Sequence, residues 1–150
     1  QTAAALAGHK NIVGIKDSSG DIEQIRQYIE ATKGMEFAVL SGSDSLILKA
    51  LQLGAKGAVA ATSNLLTDID VAIVTLFEQG RLAEAQAMQE RIEPLRKVLK
   101  LGSIPSVLKA AMNMAGIPAG ECRKPVRMPD EAVSAEIRMM LQQYELEGER

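Results

Sequence analysis

Cysteine and histidine are nearly absent from this sequence of 150 residues, in which Cys122 and His9 are the only members of their types. A single cysteine cannot form an internal disulfide, and this is typical of a reducing compartment, so a cytoplasmic protein is expected. The sequence also has no spacing of His, Cys and acidic residues typical of metal ligands, and no glycine-rich nucleotide motif. We therefore expect neither a metal nor a cofactor.

Long apolar runs and clusters of one charge are missing too. No run reaches the ~18–20 apolar residues that a membrane-spanning helix needs, so no membrane interaction is expected. The net charge is −2 with the signs interspersed, and without a basic patch we expect no nucleic-acid partner. The chain begins with Gln1, without a basic leader, in a segment that resembles the last turns of a helix. This start suggests that residues upstream are missing.

The residues that are present suffice for a sizeable core, and over the first 80 positions they alternate in character. Residues 11–15, 37–40 and 57–61 are short apolar segments, which predicts strands buried on both faces. Helical patterns follow each strand and end near glycines. Their predicted N-caps are Asp21, then Ser43 or Asp44, then Thr67 with Asp70 at the third helical position. Successive strand–helix units predict parallel strands, and both a doubly wound sheet and a (β/α)₈ barrel fit this pattern.

After residue 80 only helical patterns remain, at residues 82–101, 103–115 and 130–145. Pro94 lies inside the first of these helices and should kink it. Residues 147–150 are polar and are expected to fray. The sequence therefore divides into residues 1–80, which hold the strand–helix units, and residues 81–150, which are helical.

Lys16 carries the sharpest chemical signal in the sequence. It ends a predicted strand just before a Ser/Gly-rich turn, and active sites in parallel α/β folds collect at that end of the sheet. Partial desolvation there would favour the neutral amine, which attacks carbonyl carbons to form an imine. A lysine that extends from the strand end into water fits the same pattern. The neighbouring Asp17 is expected to serve the turn.

The motifs IVGIKDS at residues 12–18, LSGSD at 40–44, GAKGAV at 54–59 and TSN at 62–64 decide between these interpretations of Lys16. They resemble, in sequence and in order, the second half of the dihydrodipicolinate synthase and N-acetylneuraminate lyase family. The first of them is similar to the lysine signature of that family. The likeness extends through CRKP at residues 122–125 and covers essentially the whole chain.

This resemblance implies an α/β fold that is the C-terminal part of a TIM barrel. Strands six to eight would be residues 12–16, 37–42 and 57–61, followed by a C-terminal helical extension. Family members are usually tetramers and form an imine between the lysine that matches Lys16 and pyruvate. Strands one to five would be missing, together with the Thr/Ser pair that holds the pyruvate carboxylate and the tyrosine that relays protons. Tyr28 and Tyr144 lie in predicted helices and are not that tyrosine.

The resemblance also implies substrate contacts at Ser18, Gly42, Asp44, Val59 and Ala61. Asp44 matches a residue that holds the sugar chain in sialic-acid lyases, and both Asp44 and Ala61 are expected to face the variable end of the substrate. Ser45 replaces a glutamate of those lyases and Ala61 replaces a serine, and both differences count against sialic acid. The alternatives are a helix cap for Asp44, a turn for Ser18, and barrel core for Val59 and Ala61.

The activity that the resemblance implies is a Schiff-base lyase or synthase that joins pyruvate to an aldehyde, or cleaves a 2-keto acid. A dihydrodipicolinate synthase type of reaction is the first expectation. The motifs GSIP at residues 102–105 and CRKP at 122–125 are also similar to 4-hydroxy-2-oxoglutarate aldolases, and sugar-acid aldolases and N-acetylneuraminate lyases stay open. The implied partners are pyruvate, the second substrate, the missing N-terminal half of the barrel and further copies in a homotetramer. The rival interpretation is a non-catalytic half-barrel, and the chain alone is expected to be inactive.

Overall fold

A three-stranded parallel sheet organises the first part of the chain in the computed structural model, which describes residues 1–146. The strands are β1 (Gly14–Asp17), β2 (Ala38–Ser41) and β3 (Gly57–Ala58), in the order β1-β2-β3. The four residues of β1 pair with the four of β2, and Ser41 pairs in turn with Ala58. The predicted α/β class with parallel strands is therefore confirmed. The end that was expected to fray, residues 147–150, lies outside the described residues.

The described residues form eight α-helices and two short 3₁₀ helices. They are α1 (Thr2–Ala7), α2 (Ile22–Ala31), α3 (Ile47–Leu53), α4 (Thr67–Glu78), α5 (Leu82–Arg91), α6 (Glu93–Leu99), α7 (Ile104–Met114) and α8 (Glu131–Gln142), with 3₁₀ turns at Asp44–Leu46 and Thr62–Asn64. The predicted kinked helix at 82–101 is two helices, α5 and α6. Pro94 lies in the first turn of α6, where its missing N–H costs no helical hydrogen bond. Tyr144 lies beyond the end of α8 rather than inside a helix.

The predicted strands differ from the observed ones in length and burial. β1 begins at Gly14, whereas Val13 before it is 73% exposed. β3 stops at Ala58, because the chain bends at Ala61 into a 3₁₀ helix. Burial on both faces was also predicted, and it is wrong for this chain, since Lys16 is exposed and Leu40 only half-buried. The physical reason is that α2 and α3 pack on the face of the sheet that carries Val39, whereas Lys16 and Leu40 lie on the opposite face.

Of the three predicted helix caps, one is confirmed, one is wrong, and Ser43 holds the N-cap position without the capping bond. Asp21 caps α2 by accepting a hydrogen bond from the N–H of Glu23 at 2.9 Å. Thr67 is instead the first residue of α4, and its hydroxyl donates to the carbonyl of Ser63. Ser43 precedes the 3₁₀ turn at Asp44–Leu46 without a capping bond from its side chain.

The apolar core consists of three adjoining clusters that tie the sheet to the helices. Ile25 of α2 and Val39 of β2 belong to the first cluster, and α3, α4 and α5 form the second around Ile73. The third and largest joins α4 to α6, α7 and α8 around Leu95. Because α4 and α5 contribute side chains to both the second and the third cluster, this packing fixes the position of α6 relative to the strand ends. In the part of the chain that the structure describes, no helix combines the length and the apolar character needed to cross a bilayer.

Candidate active site

Lys16 is the third residue of β1, where it pairs with Leu40 of β2. Its side chain is exposed, and it makes no hydrogen bond or ion pair with the residues described. The partial desolvation expected from the sequence is therefore not provided within this chain. The cause is that Lys16 lies on the face of the sheet opposite to Ile15 and Val39, which pack against α2 and α3.

The turn after Lys16 is held by Asp17. This buried carboxylate accepts hydrogen bonds from the backbone N–H and the hydroxyl of Ser19, at 3.1 and 2.6 Å. Gly20 follows with a φ of +77°, a conformation that favours glycine, and the chain then enters α2. The turn role expected for Asp17 is confirmed, and it leaves Ser18 exposed at the tip.

Gly42 brings the loops after β1 and β2 into contact. Its N–H donates to the carbonyl of Asp17 at 2.6 Å. A Cβ atom at this position would lie 2.7 Å from that oxygen and would overlap the hydroxyl of Ser18. Two of the candidate binding residues, Ser18 and Gly42, therefore lie side by side at the carboxyl end of the sheet.

Asp44 joins three separate parts of the chain rather than capping a helix. Its Oδ2 accepts a hydrogen bond from the backbone N–H of Thr62 at 3.3 Å, and its Oδ1 lies 3.4 Å from Nε of Arg96. Arg96 also pairs with Glu93, with 2.7 Å between Nη1 and Oε1. The side chains of Arg96 and Asp44 are 19% and 17% exposed. The pair therefore holds α6 against the loops that follow β2 and β3.

Val59 and Ala61 follow the end of β3 and lie in different environments. The N–H of Val59 still donates to the carbonyl of Ser41 at 2.8 Å, but its side chain is 52% exposed. Ala61 packs against the cluster of α4, α6, α7 and α8, and its carbonyl accepts a hydrogen bond from Asn64 Nδ2 at 3.0 Å. Ala61 therefore packs against the helices, whereas the side chain of Val59 is open to solvent in this chain.

Thr62 connects Asp44 to a second carboxyl group, that of Asp70. The Thr62 hydroxyl donates to Asp70 Oδ2 at 2.8 Å, and Asp70 is buried. Burial raises the pKa of Asp70 to about 6; the hydrogen bond from Thr62 opposes this increase, and the charge of Asp44 adds to it. Asp70 is therefore largely neutral below that pH, and it titrates close to the site.

An open cleft of about 380 Å³ separates the strand ends from α6. Gly42, Asp44 and Ala61 line it on the sheet side, and Arg96 and Lys100 line it on the helix side. Three of the candidate residues thus share one cleft, and Ser18 adjoins it through its contact with Gly42. Of the other two candidates among the described residues, neither Lys16 nor Val59 lines the cleft.

Arg96, Thr62 and Asp70 were not predicted from the sequence as residues of the candidate site. Arg96 and Asp44 are 52 positions apart, and no periodic pattern links residues at such a separation. Asp70 resembled an ordinary acidic residue in the first turn of a helix. The one available signal was that Asp70 lies within the largely apolar segment of α4. Most faces of such a helix are buried, so an acidic residue in it is a candidate for burial.

His9 and Cys122 lie outside this arrangement. His9 is exposed, and its Nδ1 accepts a hydrogen bond from the N–H of Asn11 at 3.2 Å, as part of a turn. Cys122 is a half-buried free thiol. Among residues 1–146, no three His, Cys, Asp or Glu side chains come together in a group that could hold a metal ion.

Comparison with known proteins shows that the chain matches a protein family. Residues 1–144 match the profile of the family described as the dihydrodipicolinate synthetase family. The chain belongs to this family. It is 38% identical over 138 residues to a 4-hydroxy-tetrahydrodipicolinate synthase from Methanoculleus marisnigri, covering 92% of this chain and 47% of that protein. With a protein of the same name from Syntrophus aciditrophicus it shares 34% identity over 148 residues, covering 99% and 50%.

Solved structures in the dihydrodipicolinate synthetase family are similar over the same length. The dihydrodipicolinate synthase of Thermotoga maritima matches with a TM-score of 0.88 at 30% identity, over 97% of this chain and 50% of that one. A putative dihydrodipicolinate synthase of Thermus thermophilus matches with a TM-score of 0.81 at 37% identity, over 96% and 50%. The chain spans about half the length of the curated relatives it matches. Its sheet and helices therefore have the architecture of half of such a protein.

Proposed function

We propose that this chain carries the imine-forming lysine of a pyruvate-dependent lyase or synthase, similar in activity to 4-hydroxy-tetrahydrodipicolinate synthase. The observation that carries the proposal is the place of Lys16 near the carboxyl end of β1, beside the loops that hold Ser18 and Gly42. Parallel α/β folds gather their active sites at this end of the sheet. Relatives that bear the name of this enzyme support the same assignment.

In the proposed reaction, the neutral amine of Lys16 attacks the keto carbon of pyruvate, and uptake of one proton with loss of water gives a protonated imine. The imine withdraws electrons from the methyl carbon, which loses a proton to a base and becomes the nucleophilic carbon of an enamine. That carbon forms a bond with the carbonyl carbon of an aldehyde, whose oxygen takes up a proton. Water then hydrolyses the imine, releasing the product and the free amine. The reverse sequence cleaves a 2-keto acid.

The proposal assigns β1, β2 and β3 as strands six, seven and eight of a (β/α)₈ barrel, with the helices after residue 80 as its extension. The remaining strands, the hydroxyl groups for the pyruvate carboxylate and the proton-relaying tyrosine would come from residues outside this chain. They would also cover the exposed side of Lys16. A homotetramer is the expected assembly of the complete barrel.

Borohydride trapping tests the role of Lys16. The natural full-length polypeptide that carries these residues is incubated with pyruvate and borohydride, and the reduced adduct is located by mass spectrometry. We expect the adduct on Lys16 and its complete loss in Lys16→Arg, because arginine stays protonated and cannot form the imine. Lys56→Arg changes another exposed lysine, directly before β3, and should keep the adduct. An adduct on a different lysine, or none in the wild type, would contradict the proposal.

A further inference from the structure

Two carboxyl groups hold the turn that joins β3 to α4. Within the turn, the carbonyl of Thr62 accepts hydrogen bonds from the N–H groups of Leu65 and Leu66, at 3.0 and 2.8 Å. Outside it, the N–H of Thr62 donates to Asp44 and its hydroxyl donates to Asp70. Because Thr62 is fully buried, opening of the turn breaks both of these outer contacts.

Only one of the two carboxyl groups is neutralised by a cation. Asp44 pairs with Arg96, whereas no ion pair reaches Asp70 within residues 1–146. Oδ2 of Asp70 accepts from Thr62, and its Oδ1 is buried without a hydrogen-bond partner in the described part of the chain. Ionised Asp70 is therefore a buried anion with one oxygen unsatisfied, which is costly. A proton on Oδ1 removes the charge and leaves Oδ2 able to accept from Thr62.

The groups that surround Asp70 do not favour its ionised form. Burial raises the pKa of Asp70, and the charge of Asp44 raises it further, against the hydrogen bond from Thr62. Tyr144, beyond the end of α8, has a pKa raised by burial, so its phenol is neutral near pH 7. The anions of the neighbouring helices are exposed or, like Glu93, paired. The cations there are exposed or already bonded to other groups: Lys49 on α3, Arg91 on α5, Arg96 and Lys97 on α6, Lys109 on α7 and Arg138 on α8.

We propose that Asp70 and Thr62 form a pH-sensitive latch on the turn between β3 and α4, closed when Asp70 carries a proton and loosened when Asp70 is ionised. Opening of the turn lets water reach the carboxylate and relieves the cost of its charge, so ionisation favours opening. The turn begins at Ala61 and contacts Asp44, and both residues line the cleft at the strand ends. The latch therefore sets how firmly this wall of the cleft is held, and it does not depend on imine formation at Lys16.

Hydrogen exchange of backbone amides in the natural full-length polypeptide, followed by mass spectrometry, tests the latch. Protection factors, which are corrected for the intrinsic pH dependence of exchange, are measured from pH 5 to pH 8 for peptides that cover residues 59–66 and for α2. The pKa of Asp70 is about 6 in the closed turn against an ordinary 3.8, so the protection of residues 59–66 should fall about 10-fold between pH 5 and pH 7.5. The protection of α2 should change much less, because the opening is local.

Three variants identify the groups responsible. Asp70→Asn keeps an oxygen for the Thr62 hydroxyl but cannot titrate, so the protection of residues 59–66 should become independent of pH. Asp68→Asn changes an exposed carboxylate on the same helix and should keep the fall seen in the wild type. Thr62→Val preserves the shape of the side chain but removes the hydrogen bond that stabilises ionised Asp70, so the fall should continue to a higher pH.

Four results would overturn the latch. Constant protection of residues 59–66 in the wild type shows that Asp70 does not control the turn. An equal fall in α2 shows that pH acts on the whole fold and not on the turn. A fall that persists in Asp70→Asn assigns the titration to another group, and a fall that is unshifted in Thr62→Val shows that the two side chains are not coupled.

Discussion

Thr62 links two carboxyl groups whose environments differ. Its N–H donates to Asp44, whose charge is also balanced by Arg96, whereas its hydroxyl donates to Asp70. Asp70 Oδ1 is the only buried side-chain oxygen or nitrogen in the described residues that lacks a hydrogen-bond partner. Such a group is costly when charged and much less so when protonated. The charged form of Asp70 is therefore destabilised in this position, which lies next to the loop that ends in Ala61.

The titration of Asp70 should affect stability in a defined pH range. The folded-state pKa of about 6 exceeds the ordinary value of 3.8, so the folded state binds this proton more tightly than the unfolded state does. The contribution of Asp70 to the free energy of unfolding is therefore greatest below about pH 4, decreases between pH 4 and 6, and stays low above. Asp70→Asn should remove this dependence and raise stability at pH 7 by up to about 3 kcal/mol.

Denaturant midpoints from pH 4 to pH 8 measure this effect in the natural full-length polypeptide. The informative quantity is the difference between the wild type and Asp70→Asn, because other carboxyl groups titrate in both proteins. Asp68→Asn changes an exposed neighbour on α4 and should produce no such difference. Parallel curves for the wild type and Asp70→Asn would show that the carboxyl group is not strained by burial.

At the scale of elements, two glycines let β1 and β2 approach at both ends of their pairing. A Cβ at Gly14 would lie 2.5 Å from the carbonyl oxygen of Ala38, and one at Gly42 would lie 2.7 Å from that of Asp17. Neither glycine has a positive φ, so space rather than backbone conformation requires them. The second of these contacts also positions Ser18 beside the loop that leads to Asp44.

Gly42→Ala should therefore separate the two loops of the candidate site. Overpacking of this kind costs about 1–3 kcal/mol, so the denaturation midpoint of the natural full-length polypeptide should fall. The yield of trapped pyruvate on Lys16 should fall as well, because the loop after β1 has to move. Gly8→Ala is the matched control, since its Cβ would meet only the carbonyl of Ala5 at 3.5 Å. A Gly42→Ala variant as stable and as readily trapped as the control would contradict this argument.

The sequence was most informative about elements, because local signals determine them. Apolar segments and capping or terminating residues located the strands and most helices, and Pro94 marked the break between α5 and α6. Strand ends were less predictable, since β3 has only two residues before the chain bends at Ala61 into a 3₁₀ helix. The cap at Thr67 failed for a similar reason: the chain before it is already turned as a 3₁₀ helix.

The whole molecule depends on contacts between distant positions, and these could not be predicted. Gln89 of α5 donates to the carbonyl of Asp44 and accepts from the N–H of Leu48, across 45 and 41 positions. Tyr144 donates to the carbonyl of Arg91 across 53 positions. The family motifs predicted Gly42, Asp44 and Ala61, which do share a cleft. Arg96 completes that cleft only because helix packing brings α6 there, and no local pattern encodes such packing.

The exposed parts of the sheet lead to a prediction for a polypeptide limited to these 150 residues. Within residues 1–146, β1 and β3 are both edge strands, and Val13 and Val59 are largely exposed beside them. Open apolar edges favour association with other chains, and a closed barrel has none. Exposed apolar surface costs about 25 cal/mol per Å², which is significant against a net stability of ~5–15 kcal/mol. We therefore expect the isolated chain to self-associate and to be inactive.

Sedimentation velocity at several concentrations, together with an aldol-cleavage assay, tests this last prediction on residues 1–150. Val13→Lys places a charge beside the free edge of β1 and should shift the chain towards smaller species, because charged edge strands resist pairing. Lys33→Arg, an exposed substitution that keeps the charge, is the control and should not. Co-expression with the N-terminal half of a relative should reduce self-association, since its strands would cover both edges. A cooperatively folded, active monomer of residues 1–150 would instead show that three strands and their helices form a complete catalytic unit, and that the exposed side of Lys16 needs no cover.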